Sequence, residues 1–180
     1  MSTIGVGIIG CGGIVLQNHL PGLKLCADTK LVGLCDNSSE VLERAVKQTG
    51  VDVHTTDYKE LVQRDDIHAV IIATPNFTHA PMAVEAMNNG KHVLCEKPLG
   101  MDQKETLDML SCARENKVRH MTAFTYRFVP AMRYMKHPVD AGDIGQPYHI
   151  RTCRLQDWGD RNNGWRQIKK MSGSGELGDM

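Results

Sequence analysis

The sequence predicts a doubly wound α/β fold with a parallel sheet, and three observations carry that reading. Five short apolar runs are continuously hydrophobic rather than alternating, as strands covered on both faces must be. Amphipathic stretches with start and stop signals separate them. The two kinds of segment alternate, over residues 1 to 124, at the spacing of right-handed strand–helix–strand crossovers.

The first run, "IGVGII" (4 to 9), passes through glycines into a helix-like segment. "LVGLC" (31 to 35) is the second strand; Ser38 then caps a helix over 39 to 49, and Gly50 ends it. Asp57 with Glu60 three positions on reads as a capping box. "AVIIAT" (69 to 74) is a strand stopped by Pro75, and "HVLC" (92 to 95) runs straight into Glu96, Lys97 and Pro98. Asp102 with Glu105 opens a helix over 103 to 116, whose Leu107, Leu110 and Ala113 form an apolar stripe. "RHMTAF" (119 to 124) closes a first domain, 1–124. Residues 125–180 read as the incomplete start of a second: a short helix in "TYRFVPAMRYMKHP", an alternating strand in "PYHIRTCRL" (147 to 155), then glycine-rich polar stretches.

Composition narrows the function classes. With 180 residues, 41% hydrophobic and 23% charged, the chain is globular rather than disordered. Twenty-one basic residues balance twenty-one acidic ones, so no overall field draws it to nucleic acid or to an anionic membrane. The six cysteines (Cys11, Cys26, Cys35, Cys95, Cys112, Cys153) include no C-x-x-C pair and read as reduced thiols, with no metal-ligand set. "MSTIGVGIIG" lacks the basic start and long apolar stretch of a signal peptide, and no window approaches ~18 apolar residues. A cytoplasmic location is the expectation.

Gly10, Gly12 and Gly13, with Ile14 beside them, lie between the first strand and the first helix, where a side chain would keep a pyrophosphate from the backbone amides. Asp36 ends the second strand, at about the distance expected for a carboxylate that accepts from ribose hydroxyls. Its charge would repel a 2′-phosphate and no arginine stands at 37 or 38, so NAD is expected over NADP. Val15 stands third in the fingerprint, in place of Gly or Ala. Thr74, Pro75, Asn76 and His79 gather at a strand's C-terminal end, where open α/β sheets bind ligands. His79 could face the cofactor ribose or cap its helix; the residues leave both open.

Together with "GKHVLCEKP", "YRF" at 126 to 128, "IG" at 144 to 145 and "GW" with Arg166, these residues resemble the Gfo/Idh/MocA oxidoreductases, the family of glucose-fructose oxidoreductase and inositol dehydrogenases. The resemblance implies a Rossmann domain followed by an α/β domain with an open, largely antiparallel sheet that supplies substrate and often oligomer contacts. It implies hydride transfer between a nicotinamide and a hydroxyl or carbonyl carbon of a sugar, cyclitol or related molecule. The family's lysine falls on Lys97, whose ammonium would hold the substrate oxygen. Glu96 would support Lys97 or the nicotinamide side, and the Lys97–Pro98 bond is a candidate for cis. Arg127, Trp165 and Arg166 fall where the family contacts substrate, with a structural role favoured for Arg127. "GSGELGDM" looks like the opening of the family's Asp-x-x-x-His segment, with Asp179 as its acid and the histidine beyond Met180. The expectation is thus an incomplete chain that binds NAD and turns over poorly alone, and whose intact form is a homo-oligomer. The competing reading is a non-catalytic dinucleotide-binding module, which would have no need of Lys97.

Overall fold

The computed structural model describes residues 3–153, 155 and 164–173. Six strands form one sheet in the order β3-β2-β1-β4-β5-β6, all parallel: β1 Ile4–Ile9, β2 Thr29–Cys35, β3 Val53–Thr55, β4 Ala69–Ile72, β5 His92–Cys95 and β6 His120–Thr122. The chain order reverses between β1 and β4, so their carboxyl ends flank the crevice in which such sheets bind ligands. β3 escaped the sequence reading because its three edge residues, with His54 exposed between half-buried Val53 and Thr55, carry no apolar run.

Helices cover both faces. Val6, Ile8, Leu34 and Ile71 meet Val15, Leu20, Leu42 and Ala45, from the first helix and from α2 (Ser39–Thr49). Ile9, Val70, Ile72, Val93 and Cys95 meet Leu61, Ala83, Met87 and Met109 on the other face, from α3 (Tyr58–Val62), α4 (His79–Asn88) and α5 (Gln103–Glu115). Alternate residues of β1 and β4 thus serve opposite cores, which is why these strands are apolar throughout. Packing is close enough that Ile8, Leu34 and Ile72 have no exposed surface.

The N-caps form where expected, but the two glutamates bond elsewhere. Ser38 Oγ accepts from the Val41 N–H, and Gly50 ends α2 with φ 68°. Asp102 accepts from the Glu105 N–H at 2.8 Å, but Glu105 reaches past the cap to the Met101 N–H at 2.7 Å. At α3, Asp57 accepts from Lys59, while Glu60 accepts from the Thr55 hydroxyl. Neither glutamate closes a reciprocal box. Asp102→Ala should therefore cost about 1 kcal/mol in urea denaturation, the usual worth of an N-cap.

The first helix widens. Val15–His19 is a π segment, with Leu20 N–H reaching back to the Val15 carbonyl, and α1 (Leu20–Lys24) continues it. Pro21 has no N–H to donate to the preceding turn, a local reason for the break in regular bonding. Val15, at the third fingerprint position, is wholly buried.

The chain divides into two compact units, Met1–Ala123 with Trp165–Met180, and Phe124–Gly164. The segment from Trp165 therefore returns to the sheet unit. The second unit contains a 3₁₀ turn Thr125–Phe128 and α6 (Pro130–Asp140). Residues 147 to 153 and Leu155 are exposed and form no strand, contrary to the expectation at 147 to 155. Their alternation is real, but among the described residues no strand pairs with them, and an unpaired strand has no ladder to hold it.

Candidate functional site

The carboxyl ends of β1, β2, β4 and β5 bring the predicted residues together. Gly10 donates to the Cys35 carbonyl at 2.8 Å, and its φ of 90° carries the chain sharply off β1. A Cβ there would lie 2.5 Å from the Ala73 oxygen, so the fold itself requires glycine. Gly12 and Gly13 differ: a Cβ on either would meet nothing within 4 Å. These two keep clear the space a pyrophosphate would fill, while Ile14 is exposed beside them.

Asp36 is tied to this turn. One carboxylate oxygen accepts from the Cys11 N–H at 2.7 Å and the other from the Ser38 N–H at 2.9 Å. Each oxygen retains a lone pair, and the side chain stays partly open, so ribose hydroxyls can still donate to it. Burial pushes the neighbouring Cys11 and Cys35 thiols up to about 12, with the Asp36 charge adding to the shift. Cys95 is likewise pushed up to about 12 by burial and by Glu96. All three are core thiols, protonated and unreactive at neutral pH.

At the ends of β4 and β5 stand Thr74–Asn76 and the Glu96–Lys97–Pro98 strap, with a cis Lys97–Pro98 peptide. Thr74 accepts from the Thr78 hydroxyl at 2.7 Å, which shapes the turn after β4. His79 is 1% exposed, and its ring nitrogens lie 2.7 Å from the Pro98 oxygen and 2.8 Å from the Thr74 oxygen. The ring makes no cap bond to its own helix; it lies between the two loops, with the nitrogen that carries the proton donating to one of these carbonyls. Asn76 is also buried, and its amide donates to the Ser172 carbonyl at 3.1 Å. That bond seats α7 (Lys169–Ser172) against the 3₁₀ turn Asn76–Thr78.

A 3₁₀ turn, Trp165–Gln167, precedes α7, with the Arg166 guanidinium 4.4 Å above the Trp165 ring. Trp165 and Arg166 thus belong to the same unit as the glycine turn, which their place in the sequence did not foretell. Arg127 belongs to the other unit, its guanidinium 6.0 Å from the Phe124 ring. Asp179 lies outside the described residues.

One contact was missed altogether. His19 Nε2 lies 2.8 Å from Glu96 Oε1, each side chain only 12% exposed. Separated by 77 positions, the two share no local signal; only the fold pairs them. Among the described residues no helix is long and apolar enough to cross a membrane.

A family model described as "Oxidoreductase family, NAD-binding Rossmann fold" matches residues 4–124. Levoglucosan dehydrogenase of Pseudarthrobacter phenanthrenivorans is 34% identical over 199 residues, covering 100% of this chain and 49% of that protein. The crystal structure of an oxidoreductase domain protein from Kribbella flavida superposes with a TM-score of 0.92 at 34% identity, covering 100% of this chain and 51% of that one. Scyllo-inositol dehydrogenase from Lactobacillus casei, solved with NAD(H) and scyllo-inositol, superposes with a TM-score of 0.75 at 31% identity, over 80% of this chain and 43% of that one. The chain spans about half the length of the curated relatives it matches.

Proposed function

The chain belongs to the Gfo/Idh/MocA oxidoreductase family, and from that premise we propose that the protein carrying it transfers a hydride between NAD and a hydroxyl or carbonyl carbon of a sugar, cyclitol or related small molecule. The observation that carries the reading is the shared crevice: the open space at Gly12 and Gly13, the Asp36 carboxylate and Lys97 all stand at the same strand ends. The residues fit a dinucleotide. Asp36 takes the adenosine ribose at the end of β2, the glycine amides take the phosphates at β1, and the nicotinamide half then falls over β4 and β5. When bound, the nicotinamide supplies the hydride acceptor or donor.

The chain's own groups do the rest. Lys97 holds the substrate oxygen and steadies negative charge gathering there, Glu96 supports it, and Asp179 is assigned the acid's part near the substrate. Thr74, Pro75 and Asn76 shape the wall beside the nicotinamide, and His79 keeps that wall against the Lys97 strap. Trp165 and Arg166 are assigned to the substrate side, where a stacked guanidinium can donate to sugar hydroxyls. Arg127 is assigned to its own turn. Six free cysteines suit a reducing compartment such as the cytoplasm.

The test is a pair of titrations joined to a turnover assay. NADH should bind about tenfold more tightly than NADPH, the worth of one opposed charge contact, and Asp36→Ser should close most of that gap. In the protein carrying this chain at the length of its relatives, NAD reduction should appear with a panel of sugars and cyclitols. Equal affinity for both cofactors would remove the NAD preference; binding without turnover on any polyol would favour a non-catalytic binding module.

A further inference from the structure

The first helix carries a feature that phosphate binding does not explain. Its π turn, bonded from residue i to i+5, holds one more residue than an α turn would, and so changes which side chains face the sheet from that point on. His19 is the last residue of that segment, and it faces Glu96 across the switch point. The contact is nearly closed to solvent, at 12% exposure on each side, so it is not one of the surface pairs whose net worth is small. Glu96 Oε2 in turn accepts from the Lys97 N–H at 3.3 Å. Both carboxylate oxygens are thereby engaged, one by the helix that starts at the glycine turn and one by the backbone of the lysine strap.

We infer that His19 is a positioning residue for the nicotinamide half of the site: it fixes Glu96, and through Glu96 the start of the Lys97 strap, to the phosphate-binding helix. The inference rests on the proposed function, since it takes the β4–β5 side of the crevice as the nicotinamide side. It assigns His19 no contact with the phosphates, which separates it from a residue that only props up the glycine turn. A prop would serve every ligand that uses the turn. A positioning residue at the strap serves only those that carry the nicotinamide.

That difference sets the experiment. NADH and ADP-ribose, which lacks the nicotinamide, are titrated by calorimetry into the parent protein, His19→Leu and His19→Gln. His19→Leu should weaken NADH about tenfold, the worth of one charge-assisted hydrogen bond, and leave ADP-ribose within about twofold. His19→Gln, whose amide can still donate to Glu96, should recover most of the NADH loss. Equal loss of both ligands, or loss of neither, would overturn the inference while leaving the proposed function standing. Failure of the parent to bind NADH would instead bring down the proposed function and this inference with it. Should His19→Leu fail to fold by circular dichroism, His19→Ala carries the same comparison: loss confined to NADH supports the assignment, and equal or no loss overturns it.

Discussion

Replacing Gly10 with alanine should destabilise the sheet unit by about 4 kcal/mol, combining the strain of a positive φ with the overpacking of a filled turn. The backbone sits at φ 90°, and the new methyl would lie 2.5 Å from the Ala73 oxygen and 2.9 Å from Thr74 Cγ2. Retreat is blocked, because Gly10 donates to Cys35 on one side and Ala73 donates to Ile9 on the other. A loss of that size is a large fraction of the ~5–15 kcal/mol that holds a typical domain. Gly12→Ala and Gly13→Ala provide the internal control. With nothing within 4 Å of either added methyl, they should change stability by no more than about 0.5 kcal/mol yet weaken dinucleotide binding. Urea denaturation and cofactor titration of the three variants check both halves. A Gly10→Ala protein as stable as its parent would show that the turn can relax away from β4.

Lys97→Ala should lower kcat by about 10²- to 10³-fold, the usual cost of removing one donor aimed at a developing oxyanion. Cofactor affinity should stay within about threefold, because the glycine turn and Asp36 hold the remainder of the dinucleotide. Lys97→Arg should not rescue turnover, since a planar fork cannot occupy the place of a compact ammonium on a strap set by His79 and Glu96. Steady-state kinetics on whichever polyol is reduced or oxidised, with calorimetry for NADH, separate the two effects. An unchanged kcat would take Lys97 out of the chemistry and leave the oxygen-holding role to another group.

Much of the architecture was legible because its signals are local. Continuous apolar runs marked the parallel strands, Ser38 and Asp102 marked helix starts with side chains that bond three residues on, and Gly50 marked a helix end with its positive φ. The glycines and Asp36 were legible as a set because a turn between strand and helix restricts which residues can occupy it. The failures share a cause. β3 is too short to carry a period, and among the described residues no strand pairs with 147 to 153 or Leu155. Glu105 and Glu60 chose acceptor roles that depend on where the preceding loop passes.

The sequence by itself determined five of the six strands, the N-cap residues Ser38, Asp57 and Asp102, and the residue types of a dinucleotide-binding turn, since each depends on neighbours a few positions away. Only the tertiary structure decided that His19 faces Glu96, that His79 Nδ1 meets the Pro98 oxygen, and that Asn76 seats the segment after Trp165. Those bonds span 77, 19 and 96 positions, and a hydrogen bond of that reach leaves no periodicity in the chain. It exists because burial strips water from both partners once the fold has brought them together, and each must then find the other.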